Sequence, residues 1–501
     1  MKRLMWIGTI AVTASTVTVR AQNADFYFGN DLSYVNQMED CGAVFKDGGE
    51  ARDVYRIYAD RGANLVSVRL WLDPSWWQGP LEQPEGVKPF YNDIEDVRET
   101  IRRSKEAGME VMLGFHYSDF WADPNRQLIP RTWQGVARDV DALADSVYRY
   151  TKRVLTSLND EGLMPEFVKV GNEVTSGLLM HLPAEPDGFE PGQTVSRDWS
   201  RHARLFNAGI RAVREVGATA SIDPKIVIHF AEALPEQQSY FDRIIEHGVT
   251  DFDVVGISYY FAWHGGSIPL LETTIRELES AYPDRDVMVI ETAYPWTTRN
   301  YDRLGNIVGQ PDPDYVPISQ AKQLEYLTDY ARAVMRGGGS GVIFWESAWV
   351  TTPCRTPWGQ GSSHEHVAFF DPVTTDFLDA GGGRWMERHF YEHLDAPKVT
   401  FTVELPDSDP ATPVFVAGSF SKGEPVPMGH LLGGRFAFST YLPVGTTGTF
   451  HFLRGAGAAE REVVPDECAA NGARSFEVRE SGAPLAFAWG SCEALSPAGS
   501  E

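Results

Sequence analysis

A (β/α)8 barrel followed by a small all-β sandwich is the fold this sequence predicts, and three patterns predict it. Between about residues 25 and 395, short apolar, β-branched runs alternate with longer amphipathic stretches, the signature of repeated βα units. Eight such runs are present, the number that closes a barrel. After His393, apolar and polar residues alternate at period two between Gly, Pro, Asp and Ser turns, as in antiparallel strands with one buried face.

In chain order, the predicted barrel strands are 26–33, 64–71, 109–116, 167–173, 225–230, 253–260, 286–291 and 341–346. Each is apolar nearly throughout, as expected of parallel strands covered on both faces. Amphipathic helices fall between them, around 50–61, 93–107, 137–159, 200–216 and 316–336. The loops after strands 2, 3, 4, 7 and 8 are long and rich in Trp, Pro, Asp and Gly, which places the insertions on the face where barrels carry their chemistry. The sandwich strands are 398–405, 413–421, 435–442 and 447–454. The boundary falls near 395–397 and separates a barrel domain, 22–396, from an accessory domain, 397–501.

Composition supports this division. The chain has 501 residues, 43% of them hydrophobic, which suffices for a large barrel plus a second core and excludes a disordered protein. Residues 1–21 open with Lys2 and Arg3, continue through an apolar stretch and end Val19-Arg20-Ala21, the pattern of a cleaved export signal. A secreted or periplasmic location is therefore expected, with no later membrane span. Removing Lys2, Arg3 and Arg20, and no acid, takes the net charge from −25 to −28. That charge repels nucleic acid and polyanions, and a neutral polymer is the compatible partner. For an exported chain, the four cysteines suggest disulfides. Cys41 follows the first strand and Cys354 the eighth, which are neighbours in a closed barrel, while Cys468 and Cys492 share the accessory domain.

Two glutamates carry the chemistry. Glu173 ends the fourth strand and Glu291 the seventh, so both reach the same barrel mouth. A pair of carboxyls there is what glycosidic bond cleavage requires, one as acid and one as nucleophile or base. Arg69, Trp71, His116, Tyr117, Asn172, Tyr259, Tyr260, Trp345 and Glu346 stand at the other strand ends, supplying sugar-stacking faces and hydroxyl ligands. Arg69 beside Glu291 would favour the ionised carboxylate. His116 as a metal ligand is the competing reading, but the first strand has Asn30-Asp31-Leu32-Ser33 in place of a His-x-His pair. No nucleotide-binding, HExxH or nucleophile-elbow motif occurs in its required context.

The segments Asn64-Leu-Val-Ser-Val-Arg-Leu-Trp71, Phe115-His-Tyr-Ser-Asp-Phe-Trp-Ala-Asp-Pro124, Val170-Gly-Asn-Glu-Val174, Val255-Gly-Ile-Ser-Tyr-Tyr260 and Val289-Ile-Glu-Thr-Ala-Tyr-Pro-Trp296 together resemble glycoside hydrolase family 53, the endo-β-1,4-galactanases of the retaining clan A. The resemblance covers about residues 25–395. It implies Glu173 as general acid/base, Glu291 as nucleophile and Asn172 on the sugar 2-hydroxyl. Arg69, His116, Tyr259 and Trp345 would line the cleaved-sugar subsite, with Trp121 and Trp296 stacking on further sugars. It also implies action on the neutral galactan side chains of pectin, with no cofactor for the chemistry, and a monomer is expected. A mannanase or glucanase of the same clan and a non-catalytic glycan-binding barrel are the alternatives. Bacterial members often hold a structural Ca²⁺ after strand 7; the matching residues are Asn300, Asp302 and Asn306, with Leu304 where a histidine is expected. An Asx-rich turn that needs no metal is the other reading of that loop. The accessory domain is similar to starch- and glycogen-binding modules, but its only tryptophan is Trp489.

Overall fold

The computed structural model describes residues 26–75, 82–186, 188–356, 358–405 and 412–495. The export signal expected at 1–21 lies outside the described residues. Eight parallel strands close a barrel: β1 (Tyr27–Asp31), β2 (Leu65–Leu70), β3 (Glu110–Phe115), β4 (Phe167–Val170), β5 (Lys225–Ala231), β6 (Val254–Ser258), β7 (Asp286–Thr292) and β8 (Gly341–Phe344). Every predicted barrel strand is present, and β1 pairs with both β2 and β8. The lower barrel is filled by Leu65, Met112, Phe167, Val227, Val254, Met288, Ile290 and Ile343, with Tyr27 against them, so all eight strands send side chains inward.

Around the barrel lie α1 (Val54–Asp60), α2 (Ile94–Glu106), α3 (Val140–Asp160), α4 (Trp199–Gly217), α5 (Gln237–Glu246), α6 (Ile268–Ala281) and α7 (Gln320–Gly337). Their starts are fixed chemically. Asp53, Asp93, Asp139, Asp198, Ser267 and Ser319 each accept a backbone N–H of the first helical turn. After β8 the chain makes two 3₁₀ turns, Gly382–Met386 and Arg388–Tyr391, where the repeat leads one to expect an eighth helix. Trp385 and Tyr391 from these turns pack on Phe28 of β1 at 5.2 and 5.1 Å.

The C-terminal strands are β9 (Lys398–Glu404), β10 (Val414–Gly418), β11 (Arg435–Tyr441), β12 (Thr447–Arg454), β13 (Arg474–Glu477) and β14 (Ala483–Ala488). They form two sheets over a phenylalanine core in which Phe401 lies 4.6 Å from Phe420 and 4.9 Å from Phe450. The arrangement is not wholly antiparallel as expected: β9 and β14, first and last in the sandwich, pair in parallel. Both expected disulfides are formed, Cys41–Cys354 with Cα atoms 5.6 Å apart and Cys468–Cys492 at 5.7 Å.

The sandwich sits on α7 through a polar joint. Asp329 accepts from Tyr441 Oη at 2.6 Å, Tyr315 Oη at 2.8 Å and Lys398 Nζ at 2.8 Å. Beside it the Arg332 guanidinium lies 3.7 Å from the Tyr441 ring centre and donates to the carbonyls of Phe390, His393, Leu394 and Ala396. Ala321, Leu431 and Ala437 add an apolar contact at the first turn of the helix. Among the described residues no helix is long and apolar enough to cross a membrane.

Candidate active site

Strand ends bring the site together, and in two places a backbone irregularity does so. The chain leaves β4 through Gly171 (φ 87°), and Glu173 itself is left-handed (φ 44°), turning its carboxyl over the barrel mouth. In β7, Ile257 and Ser258 of β6 pair with Val289 and Glu291, so Ile290 is an extra residue. Without that bulge Ile290 and Glu291 would face opposite sides of the sheet; with it Ile290 fills the barrel and Glu291 still reaches the mouth.

One carboxylate oxygen from each glutamate and a ring nitrogen of His229 lie within 4.8 Å of one another. The surroundings of the two carboxyls differ. Glu173 Oε1 accepts from Ser258 Oγ at 2.7 Å, and Ser258 Oγ lies 2.8 Å from His229 Nε2. His229 Nδ1 has the Glu173 amide at 3.3 Å, Lys169 Nζ at 3.4 Å and Asn172 Oδ1 at 3.2 Å around it; because Ser258 gives its hydrogen to Glu173 it must accept from the ring, which puts the ring hydrogen on Nε2 and leaves Nδ1 to accept. With both ring nitrogens engaged, the trio is a hydrogen-bonded relay rather than a metal-ligand set. Glu291 accepts from Tyr260 Oη at 3.1 Å and has Lys169 Nζ 3.6 Å from Oε1.

These environments separate the two groups electrically. Burial, and then the Glu291 charge, push the Glu173 carboxyl well above its usual range. Burial also raises Glu291, but Lys169 opposes it, with Tyr260 and Arg69 helping. Burial and the Lys169 charge hold His229 well below the usual imidazole range, so it is neutral.

A cleft of about 410 Å³ lies over the pair. Trp121, Asn172, Tyr260 and Trp345 line its floor beside the glutamates, while Trp263 and Trp358 stand on its rim, 48% and 41% exposed. Aromatic faces flanking two acids suit a chain of sugars, whose C–H faces stack while their hydroxyls take the polar groups.

Residues 27–380 match the sequence model of glycosyl hydrolase family 53. The chain belongs to that family. It is 41% identical over 373 residues to the arabinogalactan endo-β-1,4-galactanase of Cellvibrio japonicus (strain Ueda107), a match spanning 74% of this chain and 93% of that one. Identity to the endo-β-1,4-galactanase of Bacillus subtilis (strain 168) is 32%, over 71% of this chain and 80% of that one. Among solved structures, the family 53 catalytic domain from Ignisphaera aggregans superposes with a TM-score of 0.62 at 28% identity, covering 72% of this chain and 96% of its own. A fungal β-1,4-galactanase gives 0.57 at 25% identity, covering 73% of this chain and all of its own.

Within this family 53 barrel, Glu173, Glu291, Asn172, Trp121 and Trp345 meet at the cleft as the sequence predicts. Other residues are placed differently. Arg69 is buried below the floor, pairs with Glu346 and lies between the rings of Tyr34 and Trp121, at 4.3 and 4.0 Å. The cation next to Glu291 is Lys169. His116 lies one layer down, where Nδ1 accepts the Ala122 amide at 3.2 Å and steadies the segment carrying Trp121. Tyr259 is not on the cleft wall but buried against Tyr330; Tyr260, the residue after it, reaches Glu291. Trp296 is buried in loop 7, its ring 6.3 Å from that of Tyr301.

The loop after β7 is held by its own side chains. Asn300 Oδ1 accepts from the Asp302 amide at 3.0 Å; Asp302 accepts from Leu304 N and Ser362 N, both at 2.7 Å, and from Thr351 Oγ1 at 3.1 Å. Asn306 turns its amide nitrogen to the Arg299 carbonyl at 3.1 Å. The oxygens of Asn300 and Asp302 thus close Asx turns, and only Asn306 Oδ1 is without a hydrogen bond. Calcium takes about six to eight oxygen ligands, more than these three residues supply by themselves, and the Glu365 carboxyl, which accepts the Tyr301 amide and Thr351 Oγ1, stands near Asp302.

Lys169, His229, Ser258 and Glu346 were not singled out as partners of the two glutamates, although a signal for the first two exists. Phe167 and Val227 face the barrel interior, so alternation puts Lys169 and His229 inward as well, and a lysine inside a parallel barrel strand demands a charged partner. Glu346 is a further buried carboxyl, pushed up to about 8 by burial against the pull of Arg69.

Proposed function

We propose that the chain is an exported endo-β-1,4-galactanase, acting as a monomer, that cleaves neutral galactan side chains of pectin with retention of configuration. The observation that carries the mechanism is the close, unequal pair: one oxygen of each carboxyl lies within 4.8 Å of the other, short of the roughly 6.5–9.5 Å separation of an inverting pair, and Lys169 stands nearest Glu291. In this reading the Glu291 carboxylate attacks the anomeric carbon while the Glu173 carboxylic acid gives its proton to the departing glycosidic oxygen. The ester to Glu291 is then opened by water, whose proton returns to Glu173 as the new C–O bond forms and the Glu291 oxygen leaves. Ser258, held by neutral His229, donates to Glu173 Oε1 and leaves the other oxygen to the substrate. Asn172 binds the 2-hydroxyl, and Trp121 and Trp345 stack on the sugars. The chemistry calls for no cofactor.

Galactan is favoured as substrate over mannan or glucan by the galactanase relatives, which align over nearly the whole barrel. Incubation with potato galactan, galactomannan and carboxymethylcellulose, followed by sugar chromatography, tests this. Release of galacto-oligosaccharides from the first alone is expected; equal or better cleavage of either other polymer would refute the assignment.

We further infer that the barrel and the sandwich are separate domains meeting near residues 395–397, the latter a docked support rather than a sugar-binding module. Its one tryptophan, Trp489, is half-buried with Arg454 4.9 Å from its ring, not displayed on an open face. We also infer that loop 7 is closed by its Asx turns and not by calcium. Equal melting temperatures in EDTA and in excess Ca²⁺ are expected, and a rise with Ca²⁺ would reverse that inference.

A further inference from the structure

Lys169 is 4% exposed, in the middle of a barrel strand, at the point where three acceptors converge. Its ammonium donates to Asn172 Oδ1, lies 3.4 Å from His229 Nδ1 and forms an ion pair with Glu291 Oε1 at 3.6 Å. Space for it is built into the neighbouring strand. A Cβ on Gly114 of β3 would stand 2.8 Å from Lys169 Cε, so glycine there lets the lysine stem run across the barrel. Buried cations are costly unless fully paired, and here the pairing is distributed over the two groups nearest the chemistry.

We propose that Lys169 is a positioning residue that keeps Glu291 ionised and fixes the orientation of the Asn172 amide. The first effect is electrostatic: a cation beside a buried carboxyl favours its charged form, and no other cation is as near to Glu291 among the described residues. The second is geometric. By holding Oδ1, Lys169 turns Nδ2 toward the Ala122 carbonyl, 2.8 Å away, and leaves the second Nδ2 hydrogen for the sugar. The groups facing this ammonium are Glu291 from β7, His229 from β5, Asn172 and Glu173 after β4, and His116 after β3; Arg69 and Asp31 face Glu291 from β2 and β1. The proposal rests on the reading of Glu291 as the nucleophile.

Lys169→Met keeps the stem and removes the charge. Its test is the pH profile of kcat/KM on soluble β-1,4-galactan, with the full chain. Activity requires ionised Glu291, and losing the cation raises its pKa, so the acid limb should move to higher pH by about 1 to 3 units. At fixed acidic pH, kcat should fall by tenfold or more while KM changes less, on the order expected for an interaction made mainly in the transition state. Gly114→Ala is the second variant. Its one close contact is the end of the Lys169 side chain, with the Val68 carbonyl at an ordinary 3.6 Å, so it should fold and give a smaller shift of the same sign. In parallel, a 2-deoxy-2-fluoro-galactoside with an activated leaving group is used to label the wild type. Label on Glu291 with an unmoved acid limb in both variants overturns the proposal and leaves the catalytic reading intact. Failure to label Glu291 overturns the reading beneath it. Label on Glu291 with the shifted limb supports both.

Discussion

Glu291→Gln should reduce galactan turnover by on the order of 10⁴ to 10⁶-fold, because without the nucleophile neither half of the double displacement proceeds. Glu173→Gln should cost about 10² to 10⁴-fold on galactan, whose leaving sugar needs a proton. The two variants should part on an aryl galactoside with an acidic phenol. Its first step needs no acid, so Glu173→Gln should form the glycosyl-enzyme at a near-normal rate and hydrolyse it slowly, while Glu291→Gln should remain inactive. Glu173→Gln exchanges a neutral acid for an isosteric amide and should leave the fold unharmed, whereas Glu291→Gln leaves the buried Lys169 without its carboxylate and should lower stability while the barrel still folds. Near-wild-type hydrolysis of galactan by either purified variant would strip that glutamate of its role.

Cutting the chain after residue 396 should leave catalysis largely intact and lower thermal stability. Every group assigned to the chemistry lies in the barrel, but α7 would lose the sandwich that covers it: Tyr441 from Arg332, Lys398 from Glu325 and Asp329, and the contact of Leu431 and Ala437 with Ala321. A loss of about 2 to 4 kcal/mol, the sum of a few hydrogen bonds and one cation–ring contact, corresponds to a fall of roughly 3 to 5 °C in Tm for a domain as large as this barrel. The first turn of α7 matters most, because Gln323 is buried there and donates to the carbonyls of Tyr294 and Val367, tying loop 7 to loop 8. A truncated protein that is folded by circular dichroism yet inactive at 25 °C would make the sandwich part of the catalytic unit.

The barrel was legible because parallel strands are buried on both faces and so read as apolar runs; all eight strands start within one residue of the predicted position, as β1 does at Tyr27 against 26, and β8 starts at Gly341 as predicted. Strand ends were less legible. The run through 167–173 reads as one strand, but Gly171 breaks the ladder after Val170, and that break is what aims Glu173. Choosing Tyr259 over Tyr260 was an error of parity: counting by twos from Val254 reaches Gly256, Ser258 and Tyr260, the inward positions. The bulge at Ile290 could not be seen, since nothing in Val-Ile-Glu marks an extra residue. The partner of Arg69 was misjudged for a related reason, because which of the buried carboxyls it meets depends on the left-handed turn at Glu346. In the sandwich, β13 and β14 escaped notice, being short or nearly uniform in polarity, and β14 adds beside β9 in parallel at a distance in sequence that no local pattern encodes.

The central claim is that Glu291 bonds directly to the anomeric carbon. Its most direct test is proton NMR of a galactan digest in the first minutes, before the new reducing ends mutarotate. Retention predicts that β-anomers appear first and the α-signal grows in later. An initial burst of α-anomers would mean that water attacks in a single displacement, and would contradict the nucleophile assignment together with the mechanism built on it.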